Sequence, residues 1–245
     1  MSEYKVMGIL MKKIIMSSAL WAVSVVANPI YATFDVVAFQ SANVAFTSGG
    51  TVDKINVNIG SVVKQNEELA KVNNDDAEAM LDVYQTSLTY AKKDYDRQVK
   101  LKNIIDRAKF DSYENIYRSA QAQVKYQKAL LAKTVLKAPF DALVISKEIE
   151  VGDVVSAQQP KTAFTLQSIH KRKLILQFDQ KYHNVVKVGD SYSYKLDGDT
   201  NDYTGTISKV YPYANTQTRK IKAEVLVDDI VVGLFGDGYI TTTKE

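Results

Sequence analysis

Two stretches of the chain repeat the same alternation of apolar and polar positions. The first runs Gly50-Thr-Val52-Asp-Lys-Ile-Asn-Val57-Asn-Ile59-Gly60-Ser-Val62-Val63. The second runs Ala142-Leu-Val144-Ile-Ser-Lys-Glu-Ile149-Glu-Val151-Gly152-Asp-Val154-Val155. One offset, 92, relates Val52 to Val144, Val57 to Ile149, Ile59 to Val151, and Val62 and Val63 to Val154 and Val155. The alternation predicts half-buried β-strands. Gly60 and Gly152 fall where a tight turn needs a positive φ. Either copy alone is too small to bury a core, so the two are expected to pair face to face in one β-sandwich.

Between the copies the period changes. Apolar or small residues fall at Ala77, Leu81, Tyr84, Leu88, Ala91 and Tyr95, and again at Phe110, Tyr113, Tyr117, Ala120, Val124, Gln127 and Leu131. Steps alternating between three and four are the seam of a coiled coil. Asn73-Asn74-Asp75-Asp76 offers caps and acidic first-turn residues, and Pro139 follows the second run. Because the β copies must meet, two helices of about 27 residues must leave and return at one place, reversing near residues 103–108. The result is a rod roughly 40 Å long at ~1.5 Å per residue. Its outer faces are charged, with Lys92, Lys93, Asp94, Asp96 and Lys100 on one helix and Lys125, Lys128 and Lys133 on the other. That makes it a spacer or docking arm with no pocket.

After Ser156 the pattern stays β. Candidate strands are Lys173–Phe178, Tyr192–Leu196, Tyr203–Tyr211, Lys220–Val227 and Gly238–Thr243, with a short helical turn over Asp179–Val186. Five short strands suggest a small antiparallel barrel or sandwich. The fold class is therefore α+β, elongated and modular. The expected domains are two sandwich halves (33–74 and 135–158), a helical hairpin (75–134) and a β-barrel (159–245).

Composition narrows the chemistry. The 245 residues are 46% hydrophobic and 24% charged, and the net charge of +3 is too small for a nucleic-acid face. No cysteine is present, which excludes disulfides, thiol catalysis, cysteine–zinc sites and a lipidated N-terminal cysteine. The two histidines, His170 and His183, lie in Lys-rich or polar stretches and read as solvated residues. No nucleophile motif, paired carboxylates or phosphate loop supports an enzyme. Past the leader Met80 is the only methionine, which disfavours a metal chaperone. No catalytic, metal or cofactor site is expected. Near the start, Lys12-Lys13 precede an apolar run from Ile14 to Ala27, followed by Asn28-Pro29. This predicts a secretory signal peptide starting at Met11 and cleaved near Ala32, with an uncleaved N-terminal anchor over residues 1–32 as the alternative.

The order of parts resembles the periplasmic adaptor subunits of tripartite efflux pumps, the RND/HlyD-like membrane fusion proteins. Gly50 to Val72 resembles the front of a biotinyl/lipoyl-type domain. Val135-Leu-Lys-Ala-Pro-Phe-Asp141 followed by Ala142 resembles the segment entering its second half, with Ala142 where the family usually has Gly. Val210-Tyr-Pro212 and Thr216-Gln-Thr218-Arg219 resemble the barrel signature, and Gly233-Leu-Phe-Gly236 its closing turn. A biotin or lipoate carrier would present a Lys on a tight hairpin, where this chain has its long helical insert. The resemblance implies a non-catalytic, periplasmic, inner-membrane-associated adaptor, with no cofactor. It would join an inner-membrane transporter, RND or alternatively ATP-driven, to an outer-membrane channel of the TolC type, and self-associate into a ring. It further implies channel docking at the hairpin tip. There Arg97 and Leu101 match the family's Arg and Leu, and Asp106 or Ala108 stands where the family has Ser. A membrane-proximal domain is expected to be absent or rudimentary.

Overall fold

A computed structural model describes residues 29–101 and 104–242. Its first strand, β1 (Ile30–Ala38), enters a closed six-stranded barrel with β10 (Lys171–Asp179), β11 (Ser191–Leu196), β12 (Tyr203–Ala214), β13 (Lys220–Asp228) and β14 (Phe235–Thr241). The order around the barrel is β1-β10-β13-β12-β11-β14, and all neighbours are antiparallel. A 3-10 turn at Gln180–Tyr182 follows β10.

Three sequence boundaries move. The barrel does not begin at residue 159, because its first strand comes from the N-terminal side of the sandwich. Ile30 and Ala32 are buried, lie opposite Ile240 and Gly238, and alternate with outward residues along β1. The Tyr192 phenol, buried beside them, donates to the Ala32 carbonyl at 2.9 Å. Burial raises its pKa and keeps it a neutral donor. A leader ending near Ala32 would therefore cut into the barrel core; residues 1–28 lie outside the described residues. The sandwich, in turn, starts at β2 (Ser41–Val44) rather than residue 33. It ends with β9 (Phe164–Ser168), a segment the sequence reading assigned to the barrel.

The sandwich contains two four-stranded sheets. One is ordered β2-β9-β7-β4, with β7 at Ala142–Lys147 and β4 at Val62–Val63. The other is β6-β5-β3-β8, with β6 at Val135–Lys137, β5 at Glu68–Val72, β3 at Gly50–Ile55 and β8 at Val154–Val155. The copies exchange partners: Gly50 pairs Val155 and Thr51 pairs Val154, while Ala142 pairs Val63 and Leu143 pairs Val62. The Gly60 N–H donates to the Val144 carbonyl at 2.9 Å, and the Gly152 N–H to the Val52 carbonyl at 2.8 Å. Each contact is the other shifted by the sequence offset, so the halves are related by an internal two-fold. The equivalence reaches beyond the visible repeat, because Val44, Phe46 and Val72 match Leu136, Ala138 and Phe164 in one core.

The chain runs from barrel to sandwich through Phe39-Gln40 and returns through Ile169-His170. These links are laced together by Phe39 N–H to the Lys171 carbonyl (3.2 Å) and Ser168 N–H to the Gln40 carbonyl (2.9 Å). Arg172, the first inward residue of β10, is buried there. Its guanidinium donates to the carbonyls of Ser168, Ile169 (2.7 Å), Lys171 (3.0 Å) and Ile230 (3.1 Å).

Two stability tests follow from this geometry. Gly60 and Gly152 hold φ of 85° and 97° with open space where a Cβ would stand, so their requirement is conformational. Gly60→Ala and Gly152→Ala should each cost about 1–2 kcal/mol, and Asn at either position less. Equal urea-midpoint shifts would express the two-fold; a loss at only one would contradict it. Arg172→Met should cost about 3 kcal/mol by leaving buried carbonyls without their charged donor. Lys should not restore it, because an ammonium lacks the planar fork.

Candidate docking interface

The insert forms α1 (Asp75–Lys100) and α2 (Arg107–Ala132), each of 26 residues. Every seam position named above is buried or half-buried, from Ala77 to Tyr95 and from Phe110 to Leu131. Near the far end Tyr95 stacks on Tyr117 with ring centroids 5.2 Å apart and tilts against Phe110 at 5.8 Å. Asn74 is the α1 cap residue, but its side chain does not cap; it is buried and donates to Glu78 at 2.8 Å.

The structure brings the three expected tip residues to one end of this rod. Arg97 lies in the last turn of α1, with its guanidinium on the Asp94 carboxylate and its side chain 70% exposed. Leu101 is the C-cap residue one turn on and is 47% exposed. Asp106 is the N-cap of α2; its carboxylate accepts from the Lys109 N–H at 3.2 Å, so it shapes the reversal as well as facing solvent. Sequence reasoning missed Ile104, whose N–H donates to the Leu101 carbonyl at 2.8 Å and whose residue is 85% exposed. The only available signal was an Ile pair in a turn that otherwise reads as polar. Leu101 and Ile104 are thus two exposed apolar residues joined by a backbone hydrogen bond at the reversal, in the stretch of chain between Arg97 and Arg107.

The barrel residues have architectural positions. Pro212 sits where β12 slips register against β13, between the Val210–Ala223 and Ala214–Ile221 pairs, a place that suits a residue without an N–H. The Asn215 carboxamide oxygen accepts from Gln217 and Thr218 N–H groups at 2.9 Å each, and Arg219 closes the turn at φ 54°. Tyr211, Pro212, Tyr213 and His183 line an open cleft of about 560 Å³. The Tyr211 phenol donates to Glu224 at 2.5 Å, a hydrogen bond that, with some burial, pushes its pKa up to about 12. The His183 ring nitrogen Nδ1 lies 3.2 Å from the Gln180 carbonyl. His170 meets Asp229 at 2.7 Å, with both side chains 72% exposed. Neither is joined to a hydroxyl among the described residues. No group of three or more His, Cys, Asp or Glu able to hold a metal occurs among them, and no described helix is long and apolar enough to cross a membrane.

The chain joins a sandwich assembled from two distant sequence pieces, a helical hairpin inserted between them and a closed barrel. Residues 40–167, just over half of the chain, match the family model of the CzcB-like barrel-sandwich hybrid domain, and the chain belongs to that family. It is 28% identical over 203 residues to the cobalt-zinc-cadmium resistance protein CzcB of Cupriavidus metallidurans, covering 76% of this chain and 39% of that protein. The chain thus spans well under half the length of this curated relative. Among solved structures it superposes on a MacA–MexA chimera containing the Pseudomonas aeruginosa MexA α-hairpin domain (TM-score 0.81, 19% identity, 89% of this chain and 83% of that one). It also superposes on a membrane fusion protein of Streptococcus pneumoniae (TM-score 0.72, 16% identity, 88% and 100%). At those identities the likeness is one of fold.

Asp106→Ala should cost about 1 kcal/mol by removing the α2 cap. Asp106→Asn should retain most of it. Thermal melts followed at 222 nm would check both, and an Ala variant as stable as the parent would remove the capping role.

Proposed function

We propose that the chain is a non-catalytic periplasmic adaptor. It links an inner-membrane transporter of the RND type to an outer-membrane channel of the TolC type and self-associates into a ring. The carrying observation is the rod: two helices of 26 residues, rooted in the sandwich and ending in a reversal where Leu101 and Ile104 are exposed. A stiff arm that ends in exposed apolar residues is suited to contact at a distance. The rod sets the spacing between membrane components, and the β modules pack side by side to seal a conduit. Many modest contacts, summed over copies, would hold such an assembly. Membership in the CzcB-like family supports the adaptor reading. Curated relatives named for cobalt, zinc and cadmium resistance and for cation efflux make divalent cations the first cargo to test. In this reading the adaptor does not handle the ion itself.

Arg107, whose side chain is 94% exposed at the tip, provides the test. In the cysteine-free chain, Arg107→Cys carrying a bifunctional crosslinker in intact cells should capture an outer-membrane channel. Capture of cytoplasmic proteins alone would overturn the export and docking reading. The same experiment from a cysteine on the barrel distinguishes an RND transporter from an ATP-driven one; the latter result would replace the RND half.

A further inference from the structure

The internal repeat leaves two apolar patches that neither copy buries. Ile59 and Val62 are each 62% exposed, and their equivalents Val151 and Val154 are 62% and 82% exposed. The alternation predicted these positions half-buried; the structure instead turns them outward beside the positive-φ glycines. Val62 and Val154 lie on β4 and β8, the edge strands of the two sheets. A single exposed valine is ordinary. Here one apolar pair is exposed at both of two sites related by the internal two-fold, and core packing accounts for neither.

The charges around the two patches are opposite. From the penultimate residue of β3 to the residue after β4, segment 54–64 carries Lys54 and Lys64 and no acid, a net +2. The equivalent segment 146–156 carries Glu148, Glu150 and Asp153 against Lys147, a net −2. Asp53, one position upstream, lowers the first to +1. Lys147 is half-buried and bonded to Glu150 at 2.5 Å, so Glu148 and Asp153 supply the uncompensated charge. Both lysines and both of these acids are exposed. Like patch on like patch would bring equal charges together. The first patch against the second sets opposite charges around a shared apolar centre.

We propose that the surface around Ile59 and Val62 of one copy seats on the surface around Val151 and Val154 of the next. Within the chain β4 already pairs with β7 and β8 with β3, and the proposed contact between copies is made by side chains. It is heterologous, and its repetition closes a ring or extends a chain. It rests on the self-association in the proposed function and adds which surface meets which.

Ile59→Cys and Val151→Cys, made separately in the full cysteine-free chain, are mixed in equal amounts and oxidised. Random encounter gives the mixed disulfide at the statistical two-to-one ratio over each homodisulfide. The contact should raise that ratio to about tenfold or more, with the excess shrinking as salt rises. Val154→Lys introduced into the Val151→Cys chain, at a residue 82% exposed, should lower the yield without moving the urea midpoint. Homodisulfides at or above their statistical share overturn the proposal. Sedimentation of the unsubstituted chain separates the two ways a mixed disulfide could be missing. If the chain self-associates, this surface is wrong and the assembly reading survives. If it stays monomeric at every concentration, both fall.

Discussion

The fold depends on one reciprocal contact between the two distant copies of the repeat, the pairing of β3 with β8 and of β4 with β7. Neither half closes without the other, because each supplies the edge partner and half of the core for its counterpart. The insert must therefore return its second end to where its first began. A pair of antiparallel helices of equal length does this with local hydrogen bonds and a continuous seam, and both helices here have 26 residues. A flexible insert of the same length would close the loop at a similar entropic cost, since that cost grows only with the logarithm of length. Helices differ in giving the insert a fixed direction and reach.

A second constraint comes from the barrel. Its wall includes β1, which precedes everything in the sandwich, so the chain leaves the barrel after one strand and returns to it only at β10. Two links run side by side at the junction, and Arg172 gathers carbonyls from both the returning link and the distant Ile230 loop. A buried charge is costly unless its donors are used. With four carbonyls around it, this guanidinium fixes how the returning link enters the barrel. Rigid transmission between rod and barrel would require such a joint.

The repeat and the heptads were legible because each is a periodicity, and periodicity survives in sequence without tertiary information. The seam positions from Ala77 to Leu131 face inward as the spacing predicts, and four of the five C-terminal strands fall where turn residues bracket them; Gly236-Asp237-Gly238, which reads as a turn, instead lies inside β14. Other features are decided by partners rather than by local pattern. Alternation along Ile30–Ala38 marks a strand but not its sheet, so β1 was misplaced; only the register with β10 and β14 assigns it. Ile59 and Val151 alternate with Val57 and Ile149 yet emerge on the surface, because β3 ends at Ile55 and β7 at Lys147, before either is reached. Arg172 reads as one basic residue among Lys171 and Lys173 until the carbonyls that surround it are known. Ile104 is an apolar residue in a turn, and nothing in the sequence says whether such a residue folds back or projects.

Magnitudes separate what makes the rod stiff from what makes it soluble. Its ion pairs, Lys92–Asp96, Arg97–Asp94, Arg107–Asp111 and Arg118–Glu114, are all exposed i,i+3 or i,i+4 pairs. Pairs of this kind contribute about 0.3–0.5 kcal/mol each and fade with salt. The seam buries Leu81, Phe110, Ala120 and Val124, and full burial of a Val, Leu or Phe side chain is worth about 1.5–3 kcal/mol. The Tyr95–Tyr117 stack adds about 1 kcal/mol beyond its area. The aromatic layer sits close to the tip, where a helical pair would otherwise fray. The free end is therefore the part of the rod reinforced by ring packing, while the charged outer faces are left to solvent. A spacer alone would not need a reinforced end, whereas an arm that bears load or makes contact there would. That distribution of packing fits the tip as the working end of the molecule.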